Sequence, residues 1–196
     1  VINKIIKQTI LKIAQMEGKM DKTGLVHIYT GDGKGKTTAA LGLGIRACGS
    51  GMKVLLVQFL KSMDTSELEI IKKLQPDFTV IRGFNCKKFA WNMTPPELQS
   101  AAEEAAEIFE QVKNIVNEGK YDLIILDELL GVVSLNFLEI NAVLDLIRNK
   151  PQTAELILTG RNAPELLIES ADYVSEIKAV KHPYDKGIAA RRGIEF

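Results

Sequence analysis

Cysteine is almost missing from this chain: Cys48 and Cys86 are the only two in 196 residues. Two thiols make no disulfide framework, and nothing in their placement implies an oxidising compartment, so both read as ordinary reduced thiols. Histidine is equally scarce, with His27 and His182 alone, and neither has partners at metal-ligand spacing. That argues against a zinc site. There is no excess of charge: 25 basic residues face 25 acidic ones, whereas a general binder of nucleic acid or of a membrane surface carries a basic surplus. No apolar run approaches the roughly 18 residues that span a bilayer. Repeats, linkers and low-complexity stretches are missing too. What remains is a chain long enough to bury about 70% of its unfolded surface around one core.

Residues 1–20 stand apart. Ile2, Ile5, Ile6, Ile10 and Ile13 fall at helical spacing, with Lys4, Lys7 and Lys12 interspersed. A continuous apolar centre and a small-residue cleavage site are lacking, so the stretch is no secretory signal. It reads as an amphipathic docking helix, to pack on its own domain, on a second subunit or over a ligand. Residues 21–196 are expected to form a single α/β domain.

Within that span, short apolar runs alternate with helical patterns. Strands are expected at Leu25–Tyr29, Lys53–Leu60, Phe78–Ile81, Leu123–Leu126, Leu156–Leu158 and Tyr173–Val180. Helices are expected at Thr37–Cys48, Thr65–Leu74, Pro95–Glu118, Asn136–Arg148 and Ala163–Ser170. Nearly continuous apolar strands imply burial on both faces, hence a mostly parallel sheet covered by helices on each side. The fold class expected is α/β; the glycine-rich loop Thr30 to Thr38, set between the first strand and the first helix, narrows it to the P-loop nucleoside triphosphate hydrolase fold (RecA-like), a single P-loop nucleotide-binding domain over residues 21–196.

The most informative stretch is Thr30-Gly31-Asp32-Gly33-Lys34-Gly35-Lys36-Thr37-Thr38. It follows an apolar strand and opens a helix, the arrangement that wraps backbone N–H groups around a phosphate chain. Lys36 supplies charge to the outer phosphates and Thr37 a hydroxyl for Mg²⁺. ATP or a close relative is the expected ligand, bound by Gly31, Asp32, Gly33, Lys34, Gly35, Lys36, Thr37 and Thr38. The spacing departs from the usual loop: Gly31 and Gly35 enclose three residues where four are normal, and Thr30 stands where the first glycine would be. Farther on, Tyr121-Asp122-Leu123-Ile124-Ile125-Leu126-Asp127-Glu128 resembles a Walker B strand, delivering carboxylates to the sheet edge where such folds bind ligands. Asp127 or Glu128 suits a hard cation.

Other residues point past ATP hydrolysis. The segment Gly83 to Asn92 holds the only Trp, Trp91, together with Phe84 and Phe89, in an expected loop. Large aromatics there either anchor the loop in the core or wall a flat ligand. Arg161, after a strand, could reach a phosphate or form a surface ion pair.

Taken together these pieces resemble the ATP:cob(I)alamin (corrinoid) adenosyltransferases of the CobA/BtuR/CobO type. The likeness rests on Tyr29 to Ala40, Leu126-Asp127-Glu128-Leu129, Phe89-Ala90-Trp91, Thr159-Gly160-Arg161, Ala171-Asp172, Val180-Lys181-His182-Pro183 and Gly193-Ile194-Glu195-Phe196. The shortened phosphate loop is itself a family trait. The resemblance implies that Co(I) of a reduced corrinoid such as cobalamin attacks the 5′ carbon of ATP and expels tripolyphosphate. It implies Lys36 as stabiliser of the leaving group, and Thr37 with Glu128 as Mg²⁺ ligands, Asp127 being the next candidate. Phe89 and Trp91 would lie beneath the corrin and remove its lower axial ligand, making Co(II) easier to reduce. A flavoprotein-type electron donor, a homodimer closed by the N-terminal helix, and a cytoplasmic location free of nucleic acid and membrane are further implications. Two departures stand out: Leu130-Gly131 where the family often carries a polar residue and Tyr, and Arg191-Arg192 in place of Ala-Gln. The residues alone leave two other readings open, a P-loop ATPase or small-molecule kinase, and a non-catalytic ATP-responsive module.

Overall fold

The computed structural model describes residues 23–61, 65–85 and 92–196. The expected N-terminal helix, Cys86, Phe89 and Trp91 lie outside them. Six strands form one sheet: β1 (Val26–Thr30), β2 (Val54–Gln58), β3 (Phe78–Arg82), β4 (Leu123–Asp127), β5 (Glu155–Thr159) and β6 (Tyr173–Glu176). Their order is β3-β2-β4-β5-β1-β6, and every pairing is parallel. Among the described residues six α-helices accompany them: α1 (Lys36–Gly49), α2 (Glu67–Lys73), α3 (Pro95–Asn117), α4 (Leu129–Ser134), α5 (Ile140–Asn149) and α6 (Glu165–Glu169). Among the described residues no helix is long and apolar enough to cross a membrane.

The parallel arrangement follows from the strand composition. β2 and β4 are buried at every position, so neither face can meet water. Alternate residues feed two cores. Leu55, Val57, Ile124 and Leu126 pack with Ile108, Phe109, Val112 and Val116 of α3 and with residues of α4 and α5. Val54, Leu56, Leu123 and Ile125 pack with Ala40 and Ala47 of α1 and Ile71 of α2. Each such fully buried aliphatic side chain contributes about 1.5–3 kcal/mol of transfer free energy. α3 starts where a Pro in its first turn and Glu97 suggest: the Glu97 carboxylate accepts from the Thr94 N–H at 2.8 Å, one half of a capping box.

Three differences from the expected elements have local causes. α4 is an extra helix in a run of apolar residues, where periodicity cannot separate helix from loop. It fills with buried Leu129, Leu130, Val132 and Val133, and α5 consequently begins at Ile140 rather than Asn136. β6 ends at Glu176 because the chain then turns over the phosphate loop: the Ile177 N–H donates to Thr30 O at 2.8 Å, and Ile177 O accepts from the Gly33 N–H at 2.7 Å.

That bracing accounts for the short loop. Thr30 does not make the first turn; it closes β1, and its hydroxyl oxygen accepts from the Ala163 N–H at 3.3 Å. The turn passes to Gly31 at φ 103°, where an added Cβ would lie 2.5 Å from Ile177 O. Gly31→Ala is therefore strained in dihedral and in space. It should lower stability by about 2–3 kcal/mol, read from the urea midpoint, and weaken ATP binding in calorimetry. An unchanged midpoint would contradict the bracing.

Candidate active site

Parallel order brings the carboxyl ends of β1, β4 and β5 side by side. β5 lies between the other two, so its terminal Thr159 stands between the phosphate loop and Asp127. A cleft of about 220 Å³ opens there, lined by Asp32, Gly33, Lys34, Gly35, Lys36, Thr37, Thr38, Glu128 and Arg161 from the elements expected. His182, Ile194 and Glu195 complete the wall. The N-terminus of the 14-residue α1 opens into this space and has no acidic residue in its first turn, so its unpaired N–H groups favour an anion.

Lys36 is largely buried, and its ammonium donates to Gly31 O at 2.6 Å and Gly33 O at 2.9 Å. These contacts curl it over the loop. Burial pulls its pKa below the usual lysine value, with the neighbouring Glu128 opposing. Gly31 enters the site through this carbonyl rather than through the cleft wall.

The two carboxylates at the end of β4 differ sharply. Asp127 is fully buried. Its Oδ1 accepts from the Thr37 hydroxyl at 2.9 Å and from the Thr159 hydroxyl at 2.7 Å; its Oδ2 accepts from the Lys61 ammonium at 2.5 Å. Gln58 Nε2 stands 3.4 Å from the same Oδ2. Asp127 thus has both oxygens engaged by protein donors. Glu128 faces the cleft from a left-handed backbone conformation, φ 63°, and its N–H donates to Thr159 Oγ1 at 3.0 Å. Burial, then the charge of Asp127, raises its pKa. A bound cation would act in the opposite sense.

Gly131, one of the two departures from the resembled pattern, has a physical role. A Cβ there would come within 3.4 Å of Glu128 Oε2 and 3.2 Å of Leu60. Leu130 is buried in the core, so the pair shapes the backing of Glu128 rather than lining the cleft. Arg161 is mostly exposed, and its guanidinium lies 3.8 Å from the Asp32 carboxylate. It is at once a cleft residue and a surface ion pair, and the pair itself adds little stability.

The C-terminal tail gives a role to Arg191 of the other departure. The guanidinium of Arg191 donates to Glu195 Oε1 at 3.0 Å and Oε2 at 3.2 Å, and the Arg191 N–H to Oε2 at 2.8 Å. These bonds hold the Glu195 carboxyl down at about 2. A tail closed on itself in this way sets Ile194 and Glu195 against the phosphate loop.

The residue pattern did not single out Lys61, Thr159, Gln58, His182 or Glu195 as site residues. Thr159 carried a usable signal, a hydroxyl at the carboxyl end of a buried strand. Lys61 carried none, since a lysine after a strand is ordinarily a solvated one.

The chain matches the family described as ATP:corrinoid adenosyltransferase BtuR/CobO/CobP over residues 22–196. The chain belongs to that family. Among curated relatives, the corrinoid adenosyltransferase of Escherichia coli strain K12 is 33% identical over 184 residues, covering 93% of this chain and 91% of the relative. That of Sinorhizobium sp is 34% identical over 199 residues, covering 98% and 90%. The corrinoid adenosyltransferase CobA of Salmonella typhimurium LT2 is 32% identical over 184 residues, covering 93% and 91%. ATP and a corrinoid are the substrates that define the ATP:corrinoid adenosyltransferase family, and adenosyl transfer between them is the activity that membership assigns to this chain. The six-stranded parallel sheet agrees with the α/β P-loop fold expected for it.

Proposed function

We propose that the cleft binds ATP with its triphosphate along Gly31 to Thr38 and its ribose turned outward, so that C5′ meets Co(I) of a reduced corrinoid. The cobalt–carbon bond forms as the C5′–oxygen bond breaks. The bonding electrons leave with tripolyphosphate. The single observation that carries this reading is the convergence of Lys36, Thr37, Glu128 and Arg161 on one cleft at the N-terminus of α1, in a chain of this family.

Lys36 and the loop N–H groups stabilise the charge that develops on the departing triphosphate. Mg²⁺ fits the donors present: the Thr37 hydroxyl and the Glu128 carboxylate are hard oxygens facing the cleft. Bound there, the ion would neutralise phosphate charge. Asp127 is assigned a supporting role, since it accepts the hydrogen bond of the Thr37 hydroxyl and so leaves that oxygen to act as an acceptor on its other side. Arg161 completes the phosphate contacts. Phe89 and Trp91 are assigned to the corrinoid face by the family resemblance, where they would lower the barrier to reducing Co(II). A flavoprotein-type donor, a homodimer, a covering role for the N-terminal helix and a cytoplasmic setting belong to the same proposal.

Product analysis is the test. Adenosylated corrinoid, read by absorbance, and tripolyphosphate should appear together, and only with both ATP and reduced corrinoid present. Formation of ADP instead would support a kinase or ATPase. Trp91→Ala should slow turnover from Co(II) by on the order of tenfold more than turnover from chemically prereduced Co(I), a loss of more than 1 kcal/mol confined to one substrate state. Equal losses would remove its redox assignment.

A further inference from the structure

Lys61 lies three residues beyond β2 and belongs to none of the motifs above. Its ammonium donates to Asp127 Oδ2 at 2.5 Å and to Thr37 Oγ1 at 3.1 Å. The hydroxyl proton of Thr37 is committed to Asp127 Oδ1, so Thr37 Oγ1 presents its lone pairs on the other side, and Lys61 takes one. A divalent cation held by Thr37 needs the same oxygen. An ammonium group has no lone pair to join such a cation's shell, and two positive charges at that spacing repel.

We propose that Lys61 and the divalent cation are alternative occupants of one position beside Thr37. In one state the ammonium neutralises the buried Asp127; in the other the metal does, and Lys61 swings outward. The side chain can make that move: it is 24% exposed, on a flexible four-carbon stem. Its departure leaves Asp127 Oδ2, among the described residues, with only the 3.4 Å approach of Gln58 Nε2, open to a water from the metal's shell. Gln58 Oε1, buried and without a hydrogen-bond partner among the described residues, provides a further polar atom near that exchange. The inference rests on the metal assignment to Thr37 and Glu128 made above.

If ammonium and metal perform one electrostatic task, removing the ammonium makes ATP binding depend more strongly on metal. The experiment is calorimetric titration of ATP into the full chain, unmodified and Lys61→Met, once in EDTA and once in Mn²⁺. The ratio of the Kd in EDTA to the Kd in Mn²⁺ should rise on the order of tenfold in the variant, by linkage. Equal ratios in the two proteins would overturn the proposal while leaving the metal site standing. A ratio of one in both would overturn the proposal and the metal assignment together. If Lys61→Met does not fold, Lys61→Gln keeps a donor toward Asp127 without the charge and carries the same expectation. A crystal structure of the unmodified chain with Mn²⁺ and ATP gives an independent reading. Lys61 Nζ should lie beyond hydrogen-bond reach of Thr37 Oγ1; the contact persisting beside a bound metal would overturn the exchange.

Discussion

Lys36→Ala should reduce adenosylation by on the order of 10²–10³-fold while the protein stays folded. The side chain contributes two hydrogen bonds to loop carbonyls, worth about 0.5–1.5 kcal/mol each. Against that loss stands the burial of its charge, which depresses its pKa and which the substitution relieves. The net change in Tm is therefore a few degrees at most, at roughly 2–4 °C per kcal/mol for a chain of this size. Turnover falls because the leaving triphosphate loses the one largely buried cation on the loop. Absorbance of the adenosylated product measures the first quantity and calorimetry the second. Turnover above a tenth of the unmodified rate would refute the assignment; a collapse in Tm would mean that the residue is structural.

Asp127→Ala should have the opposite profile, with stability failing first. It removes the buried acceptor shared by the Thr37 and Thr159 hydroxyls, together with the carboxylate that pairs with the part-exposed Lys61 ammonium. Each hydroxyl left without its acceptor costs about 1–3 kcal/mol, so the two together lower Tm by roughly 4–24 °C. The neighbouring Glu128→Gln is the control. A carboxyl whose pKa is raised on folding weakens the native state once pH exceeds its unfolded value, because the folded form then resists losing the proton. Glu128 is raised by burial and by Asp127, so the neutral amide should leave Tm unchanged or higher at pH 7 while removing metal-dependent turnover. If the two variants unfold alike, the division of labour between the carboxylates is wrong.

The contrast between these two residues shows how far residue patterns reach. The apolar strand ending in Asp127-Glu128 is legible, because β4 must be buried on both faces and must end in polar atoms at the ligand edge. Which carboxylate turns inward is not legible, since it depends on Glu128 entering the left-handed region and on Gly131 leaving room behind it. The phosphate loop announces itself through Gly-Lys-Thr, yet its brace, Ile177, follows the edge strand beside β1, nearly 150 positions along the chain, and carries no local signal. Lys61 is hidden for the same reason: its partner Asp127 is 66 positions away and becomes a neighbour only through the β2–β4 pairing. α4 escapes the residue pattern because an unbroken apolar run has no period to read. Element type was thus recoverable wherever periodicity or composition was decisive, and contacts across the sheet were not.

β6 is the outermost strand on its side, with all four residues exposed, yet its continuation at Ile177 carries both backbone bonds that hold the loop's shape. Sheet margins open more readily than sheet centres. Fraying here would leave the interior intact and blunt the grip on the triphosphate, so the enzyme's first casualty on gentle warming should be its appetite for substrate, ahead of any cooperative melting.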